Sequence, residues 1–189
     1  MMPQRNQKKK EMPKEEYAYV LDVVIDNQNS FKTLDIVQAL GTTNYTLLEL
    51  VPKQGVMLKA GDKVYIGEGK RDEIQFIKRA IWPDKLSSGA KSELLFAIMD
   101  IIDEKEEDFV KFLNSVGPVT IRQHALEGIP GIGKKHVKDI LEMRLEKPFE
   151  NFKDVKERCH FLADPQKAFA ERILKEIEGK EDIRFFVRK

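Results

Sequence analysis

The hydrophobic pattern of this 189-residue chain changes period once, near Trp82-Pro83. Before that point, short runs of β-branched and aromatic residues alternate with turn clusters. After Ser88, apolar residues recur every three or four positions. A period of two puts successive side chains on opposite faces of a strand, whereas a period near 3.6 gathers them into one helical stripe. The two halves therefore predict different elements. The fold class expected is multi-domain α and β, with the boundary at residues 82–88.

Five strands are predicted in the first half. Tyr17–Ile25 is the first, closed by the turn cluster Asp26-Asn27-Gln28-Asn29-Ser30. Phe31–Leu40 reads either as a short helix or as a hairpin partner of Tyr45–Val51, and its symmetry with that neighbour favours the hairpin. Lys63–Ile66 and Ile74–Ile77 flank the turn Gly67-Glu68-Gly69. Five short strands in 17–82 predict a small closed barrel of OB-like type. Residues 1–16, with Arg5, Lys8, Lys9, Lys10 and Lys14 against Glu11, Glu15 and Glu16, predict a disordered basic arm.

Composition bounds the function. Lys and Arg number 33 and Asp and Glu 32, so the whole chain is not the strongly basic object expected of a purely electrostatic nucleic-acid binder. The single cysteine, Cys159, excludes an internal disulfide, a thiolate zinc site and an iron–sulfur cluster held within the chain. The uncharged stretch Ile36–Leu48 is too short and too polar to span a membrane, and the first residues carry no apolar signal core. A cytoplasmic location is expected, with no membrane association.

The most informative segment is Pro118–Val137. Thr120 and Gln123 form a capping-box pair that predicts a helix from Ile121, stopped by Gly128 and Pro130. Gly131 and Gly133 bracket Ile132, and a second helix starts at Lys134 with apolar positions Val137, Ile140 and Leu141. Glycines permit a tight turn and close approach of a ligand to the backbone. The first amides of a helix lack internal partners and favour an anion, helped by the helix dipole. Lys134, Lys135 and Lys138 add three charges, with no acid between Ile129 and Lys138.

The run Ile129-Pro130-Gly131-Ile132-Gly133-Lys134-Lys135 resembles the helix–hairpin–helix motif of DNA- and RNA-processing proteins. Val137 departs from the small residue usual four after the second glycine. The resemblance implies sequence-independent contact with a phosphate backbone through Gly131, Ile132 and Gly133, with Lys134, Lys135 and Lys138 beside them. A shift of 33 residues, from Ile129 to Leu162, reveals a degenerate second copy in which both glycines are gone. Asp164 there is expected to cap the following helix, with Pro165 in its first turn. A carboxylate at that position points to structural support rather than binding. The helical domain is thus read over 83–182 as a tandem helix–hairpin–helix (SAM-like) unit, with copies at 119–147 and 151–178. Residues 183–189 are read as a strand-like tail.

The order of a β-barrel followed by helical hairpins also resembles an archaeal family of uncharacterised proteins predicted to bind nucleic acid. LLELVPK, GDKVYIG, VTIRQHALEGIPGIGKK and PFENFKDVKER carry the likeness across most of 17–178.

Other residues are weighed on their chemistry. Exposed aromatics beside cations on a barrel stack bases, and Tyr45, Tyr65, Lys63, Arg71 and Lys78 are the candidates for such a surface. His124, His136 and His160 lack metal-ligand spacing, and no metal or cofactor is expected. Lys135 with Asp154 could mimic a glycosylase pair, but Asp154 falls on a helix, so no catalytic residue is assigned. Asp100–Asp108 reads as a solvated acidic face. The expectation is a non-enzymatic nucleic-acid-binding protein, RNA favoured over DNA. The alternative is a protein–protein interaction scaffold in a nucleic-acid or translation-related complex, with a protein partner.

Overall fold

A computed structural model describes residues 14–26 and 34–188. Residues 1–13 of the arm expected at 1–16, and 27–30 of the turn expected at 26–30, lie outside the described residues. The architecture is mixed α/β: a curled, five-stranded antiparallel half-barrel sheet followed by five helices.

The strands are β1 (Tyr17–Asp26), β2 (Leu34–Gly41), β3 (Leu47–Pro52), β4 (Lys63–Tyr65) and β5 (Ile74–Ala80), in the sheet order β4-β1-β2-β3-β5. The segment with two readings is thus β2, whose Val37 faces Leu50 and whose Leu40 faces Leu47. Period-two alternation divides the sheet cleanly. Ala18, Val20, Val37, Ala39, Leu48, Leu50, Val64, Ile66 and Ile74 close one core inside the curl. Tyr19, Leu21, Leu40, Tyr45 and Leu47 face the other way and join the helical core.

The barrel is open, not closed as the sequence suggests. β4 pairs with β1, and β5 pairs with β3. Because β1 and β3 are both antiparallel to β2, β4 and β5 run in the same direction and cannot be the two arms of a hairpin. The intervening loop folds back instead. The Gly69 amide donates to Tyr65 Oη at 3.0 Å, and Arg71 Nε donates to the Gly67 carbonyl at 2.9 Å. A Cβ on Gly67 would lie 2.5 Å from Tyr65 Oη, so only glycine lets the loop cross this ring.

The predicted disorder does not extend to residue 16. Glu15 is only 7% exposed, and its carboxylate accepts the amides of Thr43 (2.7 Å), Asn44 (2.9 Å) and Thr46 (3.2 Å). A carboxylate filling a turn of free amides is strongly held. The Glu16 carbonyl in turn accepts from Ile66 and Gly67.

The junction at 82–88 is pinned. Gln38 donates to the Lys85 carbonyl (3.0 Å) and accepts from the Ser87 amide (2.8 Å). A 3-10 turn (Pro83–Lys85) leads to α1 (Ser88–Glu104), where Ser87 Oγ caps the Ala90 amide and donates to Asp22. Leu94, Ile98, Ile101 and Ile102 of α1 are buried at the spacing the sequence predicts. A break at Lys105 starts α2 (Glu106–Ser115). The acidic run is only partly a solvated face. Glu104 takes Lys63 Nζ at 2.6 Å and Tyr19 Oη at 2.7 Å, and Glu106 accepts the Phe152 amide at 2.5 Å.

No helix starts at Ile121. Pro118–Thr120 and Gln123–His124 are strands β6 and β7 of a small hairpin, with Thr120 opposite Gln123 across the turn Ile121-Arg122. Thr120 Oγ1 accepts from the Arg122 amide two residues on rather than capping a helix. The β-branched residues Val119, Thr120 and Ile121 favour that extended path. The cap sits one step later: His124 Nδ1 accepts the Leu126 amide, while the His124 amide donates to Glu127, over a 3-10 turn (Ala125–Gly128). Then come α3 (Lys134–Glu146), α4 (Phe152–Arg158) and α5 (Pro165–Ile177).

The C-terminal segment forms no strand over its described residues. Glu176, fully buried in α5, accepts the amides of Phe185, Phe186 and Val187, each at 3.0 Å. Three successive amides aimed at one carboxylate make a nest, not a ladder. Phe186 packs on Phe109, Phe112 and Phe169 of the helices.

Candidate functional site

The turn between residues 129 and 134 is built by a ladder of local bonds. The Ile129 amide donates to the Leu126 carbonyl and the Ile132 amide to the Ile129 carbonyl, both at 3.0 Å. Gly131 lies at φ +89°, a region L side chains avoid, so glycine is required there. Gly133 is the extended N-cap of α3, at φ −97°. Its lack of a side chain leaves the first turn of α3 without a side-chain cap.

The six residues named for this site divide. Gly131, Gly133, Lys134, Lys135 and Lys138 are exposed. Ile132 is corrected: it is 4% exposed, packs in the helical core and uses its amide internally. Its place is to pin the turn. Lys138 leans toward Glu142 at 3.7 Å. Among the described residues, Lys134 and Lys135 make no ion pair.

His136, weighed in the sequence only for metal-ligand spacing, and Phe161, which the sequence did not single out, stand at this turn. The His136 ring stacks on Phe161, centroids 4.1 Å apart and planes within 4°. Its Nδ1 lies 3.0 Å from the Gly131 carbonyl and 3.4 Å from the Gly133 amide nitrogen. Phe161 belongs to the turn between α4 and α5, and Leu162 of that turn would touch a Cβ at Gly131 at 3.6 Å. Spacing within one copy held no sign of these contacts, because they join the two copies.

The five barrel candidates are not all brought together: Lys63 and Tyr65 share the outer face of β4, both against Tyr17, while the others lie elsewhere. Tyr45 is corrected from an exposed ring to a core residue, 6% exposed, in the left-handed region at φ 58°. Burial, then the charges of Asp108, Glu15 and Glu176, raise its phenol above the usual range. Lys63 is held by Glu104, 5.2 Å from the Tyr17 ring centroid. Burial and the Glu104 hydrogen bond raise the Tyr19 phenol; Glu104 itself is desolvated, but bonds from Lys63 and Tyr19 outweigh that and lower its carboxyl. Lys78 lies 4.0 Å from Glu49. Tyr65 and Arg71 also line an open cleft of about 600 Å³ between β4 and β5, floored by Leu48, Ile66 and Ile77. Tyr65 meets Tyr17 edge-on at 5.3 Å.

The remaining candidates are structural. Burial pushes the Cys159 thiol up to about 11, away from reactive thiolate character. Burial, followed by the Arg144 charge, lowers His124. Asp154 caps Glu150 and pairs with Arg158 at 3.2 Å.

Fold and site together define a mixed α/β protein in which a half-barrel sheet backs a helical layer bearing an exposed, lysine-flanked glycine turn. The chain belongs to the DUF655 family, described as a protein of unknown function, whose match spans residues 14–188. It is 39% identical over 173 residues to "Uncharacterized protein MJ0038" of Methanocaldococcus jannaschii, covering 92% of this chain and 79% of that protein. The crystal structure of Af1531 from Archaeoglobus fulgidus superposes with a TM-score of 0.85 at 36% identity, covering 92% of this chain and all of that one. No described helix is long and apolar enough to cross a membrane.

Proposed function

We propose that this protein binds nucleic acid, RNA in preference to DNA, without catalysing a reaction on it, and does so in the cytoplasm. The 119–147 segment acts as a helix–hairpin–helix element whose first helix is reduced to the single turn Ala125–Gly128. Phosphate oxygens meet the free amides at the start of α3, and Lys134, Lys135 and Lys138 supply the counter-charge. The half-barrel, read as OB-like, offers its Tyr65–Arg71 cleft as the second surface.

One observation carries this reading: the α3 N-terminus is left open by glycine beside two exposed lysines, whereas the matching α5 N-terminus is closed by Asp164. Few phosphates are within reach, so binding is modest and salt-sensitive, with a slope reporting roughly two to five neutralised phosphates. The test titrates labelled single- and double-stranded RNA and DNA 20-mers at several salt concentrations. Lys134→Glu with Lys135→Glu is expected to lower affinity on the order of a hundredfold while leaving the unfolding midpoint unchanged. Salt-insensitive or absent binding to all four probes overturns the reading, and a stable protein partner retained after nuclease treatment would replace it with the scaffold.

A further inference from the structure

Tyr45 carries a hydroxyl into the interior and gives it no partner. The residue is only 6% exposed, and among the described residues its hydroxyl makes no hydrogen bond. Thr46 Oγ1 is the one sealed side-chain polar atom without a partner among the described residues, so the Tyr45 hydroxyl is not sealed. It opens onto a pocket of about 370 Å³ between the β2–β3 turn, the start of α2 and the C-terminal segment. Phenylalanine would fill the same core space, and the left-handed backbone at φ 58° disfavours any side chain with a Cβ. A strained residue with an unused buried hydroxyl points to a ligand that uses it. The charges around it are also uncommitted to one another. Lys105 and Asp108 lie three residues apart at the start of α2 and both line the pocket, yet they do not pair. Lys105 Nζ turns to the Thr42 carbonyl instead. Among the described residues, the Asp108 carboxylate and the Arg188 guanidinium make no ion pair.

We propose that this pocket binds a free α-amino acid with an apolar side chain. The ammonium group donates to the Asp108 carboxylate and to the Tyr45 hydroxyl oxygen. The carboxylate meets Lys105 and Arg188. The side chain lies on Phe112 and Phe185, half-buried rings with centroids 5.7 Å apart. A zwitterion gives every uncommitted group a partner of opposite character. An anion such as a mononucleotide would bring its phosphate against Asp108, and a simple cation would face Lys105 and Arg188. The volume sits near the lower end of small-molecule pockets, about 300–1,000 Å³, as a ligand this small requires. Two walls are set before binding. The turn at 43–46 is tied by its amides to Glu15, and the C-terminal segment is tied by its amides to Glu176. Fixed walls lower the ordering cost of binding. The site is remote in sequence from the glycine turn and does not depend on nucleic-acid binding there.

The test titrates L-leucine, L-methionine and L-phenylalanine into the full chain by calorimetry and follows thermal unfolding in parallel. At least one is expected to bind one-to-one and to raise the unfolding midpoint. Tyr45→Phe removes only the hydroxyl. It should unfold like the wild type when free, because that hydroxyl has no protein partner, and should bind roughly two- to tenfold more weakly, the range of one neutral hydrogen bond. Asp108→Asn keeps the side-chain shape and removes the charge, and should weaken binding roughly ten- to a hundredfold. The amine and the carboxylic acid that each lack one end of the tightest binder (phenethylamine and hydrocinnamate for phenylalanine) should bind at least about tenfold more weakly than the amino acid. Binding of none of the three amino acids overturns the proposal. So does wild-type affinity in either variant, since the ligand would then sit elsewhere. A lowered unfolding midpoint for free Tyr45→Phe also overturns it, because the hydroxyl would then serve the fold. Amine, acid or adenosine monophosphate binding as tightly as the amino acid would overturn it too, by showing that the pocket does not read a zwitterion.

Discussion

The turns that lead into α3 and α5 share a backbone plan and differ at their helix starts. In the first, the Ile129 amide reaches the Leu126 carbonyl at 3.0 Å; in the second, the equivalent Leu162 amide reaches the Cys159 carbonyl at 2.8 Å. Three residues on, they part. Ile132 still donates to the Ile129 carbonyl, but its counterpart Pro165 has no amide to donate. Gly131 at φ +89° becomes Asp164 at φ −139°, whose carboxylate takes the Lys167 amide at 2.9 Å. The second hairpin thus satisfies its own helix start and leaves nothing for a ligand. The first keeps its helix start open and relies on its neighbour for rigidity. A carboxylate thus closes one helix start, while the other is left to solvent.

The largest expected effect tests that dependence. Arg172 of α5 is buried with Glu176 at 3.0 Å and also donates to the Gly128 carbonyl (3.1 Å) of the first hairpin. Arg172→Ala leaves the Glu176 carboxylate buried and unpaired, and should cost about 3–5 kcal/mol in urea unfolding. A smaller loss would mean that the amides of Phe185, Phe186 and Val187 suffice to hold Glu176.

The two glycines should separate next. Gly131→Ala places a Cβ in the left-handed region and is expected to cost about 1–2 kcal/mol. Gly133→Ala meets nothing within 4 Å, so its unfolding free energy should stay within about 0.5 kcal/mol while its affinity for nucleic acid falls. Equal stability losses would show that the turn tolerates side chains alike at both places. Asp164→Ala removes the cap of α5 and should cost about 1 kcal/mol without altering binding. Altered binding would mean that the second helix start takes part after all.

The smallest effect is a pH dependence. His124 caps the 3-10 turn in its neutral form, and burial lowers its pKa from the usual 6.5. Below that value the unfolded chain binds the proton more readily than the folded one. Stability should therefore be fully present above pH 6.5 and decline as the pH falls through the window beneath it. His124→Asn should remove this part of the decline in a series of urea titrations; an unchanged series would assign the acid sensitivity elsewhere.

Much of the fold was legible. The symmetry of Phe31–Leu40 with Tyr45–Val51 about the intervening turn favours paired strands, and Leu94–Ile102 marks a buried stripe, because both signals are local in sequence. The glycine turn and the Asp164 cap were legible for the same reason. The features that differ are non-local, or lie where two local rules compete. Thr120 and Gln123 satisfy a capping pattern and a two-residue hairpin equally well, and the β-branched run around them decided for the hairpin. Tyr45 looked like a surface ring because its burial comes from helices more than sixty residues away.

By itself, the sequence determined the change from strands to helices, the glycine turn before α3 and the Asp164 cap of α5. These follow from side-chain period, φ freedom and capping chemistry, all properties of neighbouring residues. The tertiary structure alone decided that the sheet stays open between β4 and β5, that Glu15 and Glu176 each gather three distant amides, and that Phe161 lies flat against His136. Those outcomes depend on which surfaces meet once the chain is compact, and buried polar groups then take whatever partners that meeting brings within hydrogen-bond reach.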